Sequence, residues 1–194
     1  MVVEGPDYFI VDIETYPINP EEYEKLDEEG KKKLLNPIDS KIVAIGIRYG
    51  NQDIIIQNEN EKQLLEDFWT KWRTIKKGRA LNIVGFNIKD FDIPFIVTRS
   101  FIHNVIISPF TVKYLIDLRE KVSAYRYGQT RGKLKEFGHF MGLDGLDTDG
   151  SDVFELYKKK DYEGIANYLK IDLSITDKMY KRIKDTRILE IERW

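Results

Sequence analysis

The stretch "YFIVDIETYP", residues 8–17, constrains this chain more than any other. Tyr8, Phe9, Ile10, Val11 and Ile13 are aromatic or β-branched, the composition of a buried strand. Asp12 and Glu14 interrupt it, and a carboxylate is costly there unless something compensates it. Residues i and i+2 of a strand share a face, so the two acids stand side by side. Like charges that close repel, and one would take up a proton. A divalent cation removes the conflict: Mg²⁺ and Mn²⁺ take oxygen ligands, often carboxylates together with waters and phosphates. The alternative is two solvated acids on an exposed face, which the D-x-E spacing alone does not exclude.

Two later stretches carry further acids. "VGFNIKDFDIPFI" (84–96) sets Asn87, Phe91 and Asp92 at the end of a short apolar strand. With Pro94 just behind it, Asp92 reads as a helix N-cap at the mouth of a sheet. Its neighbour Asp90 reads as solvated. In "GIANYLKIDLSITDKMYKRI" (164–183) the positions Ile165, Leu169, Asp172, Thr176, Met179 and Ile183 alternate steps of four and three, one face of a helix. Asp172 therefore points inward among apolar neighbours, where a helix without a use for it would place leucine. Tyr168 lies one turn earlier on the same side.

The rest of the chain supplies a sheet and its cover. Strands are predicted at 41–50 and 52–58, joined by the turn pair Gly50-Asn51, with further short strands at 80–87 and 111–118. Helices are predicted at 61–75 (with Leu64, Leu65, Phe68, Trp69 and Trp72 on one face), 92–104, 132–143 and 161–186. "EEYEKLDEEGKKKLL" predicts a short surface helix inside the otherwise irregular 15–39. No linker or repeat divides the chain, so residues 1–194 read as a single α/β domain around one central sheet. The absence of cysteine removes disulfides, zinc–thiolate sites and cysteine nucleophiles. No run is long and apolar enough to span a membrane, and the first residues do not form a signal peptide. The expectation is a cytoplasmic protein.

"VDIET", "GFNIKDFDIPF" and "YLKID", in that order, resemble the three motifs of the DEDD superfamily of 3′–5′ exonucleases. The middle motif and "DLREKVSAYRYGQTRGKLKEFGHFMGL" most resemble the proofreading domain of family B DNA polymerases. The resemblance runs from about residue 8 to 183. It implies an RNase H-like fold, a mixed five-stranded central sheet flanked by helices, and a two-metal phosphodiesterase using Mg²⁺ or Mn²⁺. Matched position by position, it implies that Asp12, Glu14, Asp92 and Asp172 hold the two cations. Asp12 would bridge them, Glu14 and Asp172 would hold the ion on the nucleophile side, and Asp92 would support the other through water. Asn167 stands where the histidine subtype needs its histidine, whereas Tyr168 matches the tyrosine subtype. Tyr168 would orient the attacking water; an unperturbed tyrosine titrates near pH ~10, which makes it a poor base. Tyr157 and Asp161 repeat the same spacing, but Asp161 reads as the N-cap of the next helix. His103 and His139 match neither subtype. No polymerase domain accompanies the motifs in this sequence.

The resemblance also implies single-stranded nucleic acid as substrate, with DNA ahead of RNA and nucleoside 5′-monophosphates as products. Thr15 and Asn87 are candidates to grip the terminal nucleotide, and Phe86 or Phe91 to stack on its base. Between 113 and 135, Lys113, Arg119, Lys121, Arg126, Arg131, Lys133 and Lys135 alternate with Tyr114, Tyr125 and Tyr127. Such interleaving suits a strand's phosphates and bases, although a solvated helix and loop would look alike. The net charge of −2 means that any such track must be local. The same chemistry on RNA, and a non-catalytic binding module with the same fold, are the competing readings.

Overall fold

The computed structural model describes residues 6–123, 132–143 and 152–191. Strands β1 (Tyr8–Pro17), β2 (Ser40–Tyr49), β3 (Gln52–Gln57), β4 (Asn82–Gly85) and β5 (Leu115–Asp117) form one sheet in the order β3-β2-β1-β4-β5. β2 is antiparallel to β1 and β3, whereas β4 is parallel to β1 and β5. This is the mixed five-stranded sheet that the resemblance implies. The two-residue turn at Gly50 and Asn51 joins β2 to β3, with Gly50 at φ +61°, a conformation open to glycine.

Both faces of the sheet are covered, and β1 shows how. Phe9, Val11 and Ile13 belong to the larger core, with Ile45 and Ile47 of β2 and the apolar faces of α3 (Glu61–Lys76) and α4 (Asp92–Ile102). Ile10 points the other way, into a second core with Leu173 and Tyr180 of α8 (Tyr162–Asp185). The strand's two-residue period therefore puts Asp12 and Glu14 on the α8 side. The predicted stripe of α8 is correct throughout, since Ile165, Leu169, Asp172, Thr176, Met179 and Ile183 are all buried. So is that of α3, where each fully buried Leu, Phe or Trp contributes roughly 1.5–3 kcal/mol or more.

Two features shape the sheet around Asp12. Gly46 of β2 pairs with Asp12, and a Cβ there would lie 2.9 Å from Leu173 Cδ1. The missing side chain lets α8 settle onto β2 close to Asp12. On the other side of β1, the pairing with β4 covers only Tyr8 to Ile10. Beyond Ile10 the sheet opens, because β4 ends at Gly85.

Several boundaries differ from the expectation. The surface helix is two short pieces, α1 (Pro20–Glu24) and α2 (Glu28–Lys33), neither with a buried residue. No packing carries the helix through the break, and Asp27 starts the second piece by accepting from Gly30 N at 2.8 Å. The strand predicted at 111–118 is a turn of 3-10 helix followed by the three residues of β5. α5 (Leu118–Val122), α6 (Leu134–Phe140) and α7 (Asp152–Lys158) complete the helices. Arg126, Arg131, Tyr125 and Tyr127 of the basic stretch, and most of the acidic run "LDGLDTDGSD" that the sequence suggests is a surface loop at 143–152, lie outside the described residues.

Candidate active site

Asp12 and Glu14 project from β1 and meet Asp172 of α8. One carboxylate oxygen from each lies within 4.8 Å of the others. Asp12 and Glu14 are half-buried and Asp172 is buried. Asp172 Oδ1 accepts no hydrogen bond among the described residues. Three hard oxygen donors, one of them buried and unsatisfied, form a donor set that fits Mg²⁺ or Mn²⁺.

Asp92 stands beside this group through a different construction. The sequence assigns it to a helix N-cap, but Phe91 occupies the cap and Asp92 lies in the first turn of α4. Its Oδ1 accepts instead from Ile13 N at 3.1 Å. Past the end of β4 the Ile13 amide has no strand partner on that side, and the carboxylate takes the place of one. Asp92 is 2 % exposed, so a lost partner would leave a buried donor unsatisfied.

The acids reinforce one another electrically. Burial first, then the neighbouring carboxylates, push Asp12 and Glu14 well above the ordinary carboxylate range. Burial also raises Asp92 to about 7, against the pull of its own amide and that of Ile13. Asp172 is raised by burial to about 6, with Lys135 and a hydrogen bond from Tyr168 opposing the rise. Four acids this reluctant to ionise make a site that gains by taking up cations.

The sequence lists Lys135 only among the cations of a possible strand track, and the structure gives it a more particular place. α6 carries it into the site, with Nζ 4.0 Å from Asp172 Oδ1 and 3.9 Å from the centre of the Tyr168 ring. Its charge also favours ionisation of Glu14. Lys133, two residues earlier in the same track, is exposed at the start of α6, where its backbone amide donates to Glu136 Oε2 at 2.6 Å. No local pattern separates these two lysines; only the direction in which α6 leaves its loop does so.

Phe86, Asn87 and Phe91 lie on the segment that leads from β4 into α4. Asn87 adopts φ 64° in the turn after β4, and its amide donates to Asp117 Oδ1 at 3.0 Å. Asp117 also accepts from Lys89 N at 3.1 Å and Arg119 N at 2.9 Å, so it both caps α5 and fixes the β4–α4 turn. The sequence reading gave Asp117 no role. Phe86 is half-buried with its ring 5.8 Å from Phe137, and Phe91 packs on the larger core 5.2 Å from Phe95. Asp90 is exposed. Asp161 caps α8 by accepting from Gly164 N at 2.8 Å, and Tyr157 OH accepts from Lys41 Nζ at 3.0 Å, so neither belongs to the site.

Thr15 lies at an irregularity. Glu14 pairs with Ala44 but Thr15 with Ile42, which leaves Val43 as an extra residue in β2. Such bulges re-aim side chains beside functional sites. A buried ion pair fixes this one: Glu61 Oε1 accepts from Ile42 N at 2.8 Å and from Arg99 Nε at 2.9 Å, and Oε2 lies 2.8 Å from His103 Nε2. Burial opposes the Glu61 charge, but Arg99, the Ile42 amide and His103 outweigh it and hold the carboxyl below its usual range.

The RNase H superfamily model matches residues 33–183. The chain belongs to the RNase H superfamily. It is 38 % identical over 171 residues to an uncharacterized protein of Methanocaldococcus jannaschii, MJ0365, covering 80 % of this chain and 93 % of that one. Its fold is similar to that of the family B DNA polymerase of the hyperthermophilic archaeon Pyrobaculum calidifontis, with a TM-score of 0.68 at 15 % identity. That likeness takes in 93 % of this chain but only 25 % of the polymerase. Membership of the superfamily and the acidic cluster together support a nuclease-type hydrolase. Among the described residues no helix is long and apolar enough to cross a membrane.

Proposed function

We propose that this protein is a metal-dependent 3′–5′ exonuclease that removes nucleotides from the 3′ end of single-stranded DNA. The observation that carries the proposal is the convergence of Asp12, Glu14 and Asp172 within 4.8 Å, with Asp92 and Tyr168 at its edges. Asp12, Glu14 and Asp172, with Asp92 in support, would hold two divalent cations. Those cations, when bound, supply Lewis acidity toward the phosphate and lower the pKa of a water.

The chain's own groups prepare the rest. In the reaction a water oxygen bonds to the scissile phosphorus and the bond from phosphorus to the 3′ oxygen breaks. The products are a nucleoside 5′-monophosphate and a strand one nucleotide shorter with a free 3′ hydroxyl. The Tyr168 hydroxyl, tethered to Asp172, orients the attacking water rather than removing its proton. The Lys135 ammonium offsets negative charge on the phosphate as it builds. Thr15 and Asn87 grip the terminal nucleotide, and Phe86 and Phe91 border its base. Lys133 meets the backbone further along.

The test is digestion of a 5′-labelled single-stranded DNA, beside the RNA of the same sequence, with Mg²⁺, Mn²⁺ or EDTA. A ladder shortening from the 3′ end, lost in EDTA and in Asp12→Asn, is the expected result. Faster digestion of the RNA would reassign the sugar preference. Binding without cleavage of either strand, in both metals, would replace the enzyme reading with a binding module.

A further inference from the structure

We infer that the groove between α7 and α8 is a nucleobase subsite, holding the base of a nucleotide next to the scissile phosphate. The inference rests on the exonuclease reading and deepens it by giving the strand a seat outside the acidic cluster. The groove is a cavity of about 400 Å³, lined on one side by Glu155, Leu156 and Lys159 and on the other by Asn167, Tyr168 and Ile171. Its size falls in the range of small-molecule sites.

Three properties select a base as the occupant. The first is position. Tyr168 is a wall of the cavity, and its hydroxyl is hydrogen-bonded to Asp172, so a group in the cavity is one residue away from the acids. A nucleotide flanking the reacting phosphate spans that distance without a break in the strand. The second is the character of the walls. Leu156, Ile171 and Tyr168 provide apolar area, and Leu156 and Tyr168 rest on a small core of Ala44, Val153, Ile165 and Leu169. A rigid apolar slot suits the face of a base, and base stacking tolerates any sequence. The third is the rim. Asn167 is exposed and carries both a donor and an acceptor, which can meet the edge of any base. Lys159 is 72 % exposed and only loosely held, 4.0 Å from Glu155, and is free to turn to a backbone phosphate.

The geometry also explains Asn167. One residue before Tyr168 on α8, it lines the α7 groove beside that tyrosine. A polar side chain there serves the strand, while chemistry is left to the residue that follows.

The test has a metal-free arm and a substrate arm. Methyl-labelled wild-type protein in EDTA is titrated with deoxyadenosine monophosphate. Saturable shifts of the Leu156 and Ile171 methyls and the Asn167 amide are expected, and shifts confined to other residues would overturn the subsite. In the second arm, a single abasic position is moved along the 3′ end of a fluorescent oligonucleotide, and binding is read by anisotropy. One abasic position beside the scissile phosphate should weaken wild-type binding about tenfold. Ile171→Trp, which fills the groove, should bind weakly and ignore that substitution. Should Ile171→Trp fail to fold, the exposed Asn167→Ala takes its place, with a smaller loss at the same position. An abasic penalty equal in wild type and variant would sink the subsite. Cleavage without the methyl shifts would keep the exonuclease reading and discard the subsite. Methyl shifts without cleavage would do the reverse.

Discussion

The Lys135 ammonium lies 3.9 Å from the centre of the Tyr168 ring and 4.0 Å from Asp172 Oδ1, so one cation touches both residues that α8 brings to the site. It stacks on an aromatic face and favours the ionised form of Asp172 and of Glu14. Lys135→Ala should therefore move the acid limb of the pH–rate profile upward and slow cleavage about tenfold or more. Lys135→Arg should restore the limb. Profiles of the three proteins at saturating metal are the check, and a limb that stays in place would mean that the charge acts elsewhere in the loaded enzyme.

The metal-free protein should lose stability as pH rises. Asp92 and Asp172 keep their protons in the folded state up to about 7 and about 6, whereas in the unfolded chain they release them near pH ~4. Between those values the folded state binds more protons, so the free energy of unfolding falls with pH, by an amount on the order of 5–7 kcal/mol for the two groups together. Melting curves in EDTA at pH ~5 and ~8 should show the lower Tm at the higher pH. Asp12→Asn should raise that Tm and shrink the stabilisation by Mg²⁺. It should also cut cleavage by on the order of 10²-fold or more. A Tm that rises with pH would contradict the electrostatic account of the cluster.

Asp92 has two separable tasks. Asp92→Asn keeps an oxygen for the Ile13 amide but loses the charge, so it should fold nearly as well as wild type and cleave poorly. Asp92→Ala loses both and leaves a buried amide unsatisfied, at a cost of about 1–3 kcal/mol relative to the asparagine variant. Urea unfolding of the two variants, beside their activities, tests the division. Equal stabilities would mean that the Ile13 hydrogen bond contributes nothing.

Gly46 sets the distance between α8 and the sheet. In Gly46→Ala the new Cβ meets Leu173 at 2.9 Å. The variant should lose about 1–3 kcal/mol of stability and part of its metal affinity as Asp172 is displaced. Leu173→Ala makes room for the methyl, and the double mutant should lose less than the sum of the single losses. Strict additivity, measured by calorimetry, would remove the steric explanation.

What was legible in the sequence was legible through period. The two-residue rhythm of β1 and the three-and-four rhythm of α8 located Asp12, Glu14 and Asp172 because each is a charge at an apolar position. Asp92 was found but given the wrong partner, since a cap looks the same in sequence whether its carboxylate turns to its own helix or to an adjacent strand. Where β4 stops decides between them, and that depends on Gly85 and the turn at Asn87. Asp117 and the bulge at Val43 were missed, and Lys135 was read only as part of a strand track, for a related reason: each matters through a contact made far along the chain. The apolar pattern of α3 required no such knowledge, because burial alone fixes it.

The placement of α8 also bears on how the protein is made. Asp12 leaves the ribosome 160 residues before Asp172, and at about 5–20 residues per second that is a delay of roughly 10–30 s. Until then β1 can pair with β2 and later with β4, but the third carboxylate does not yet exist. A nascent chain that carries most of its sheet therefore has no complete cation site.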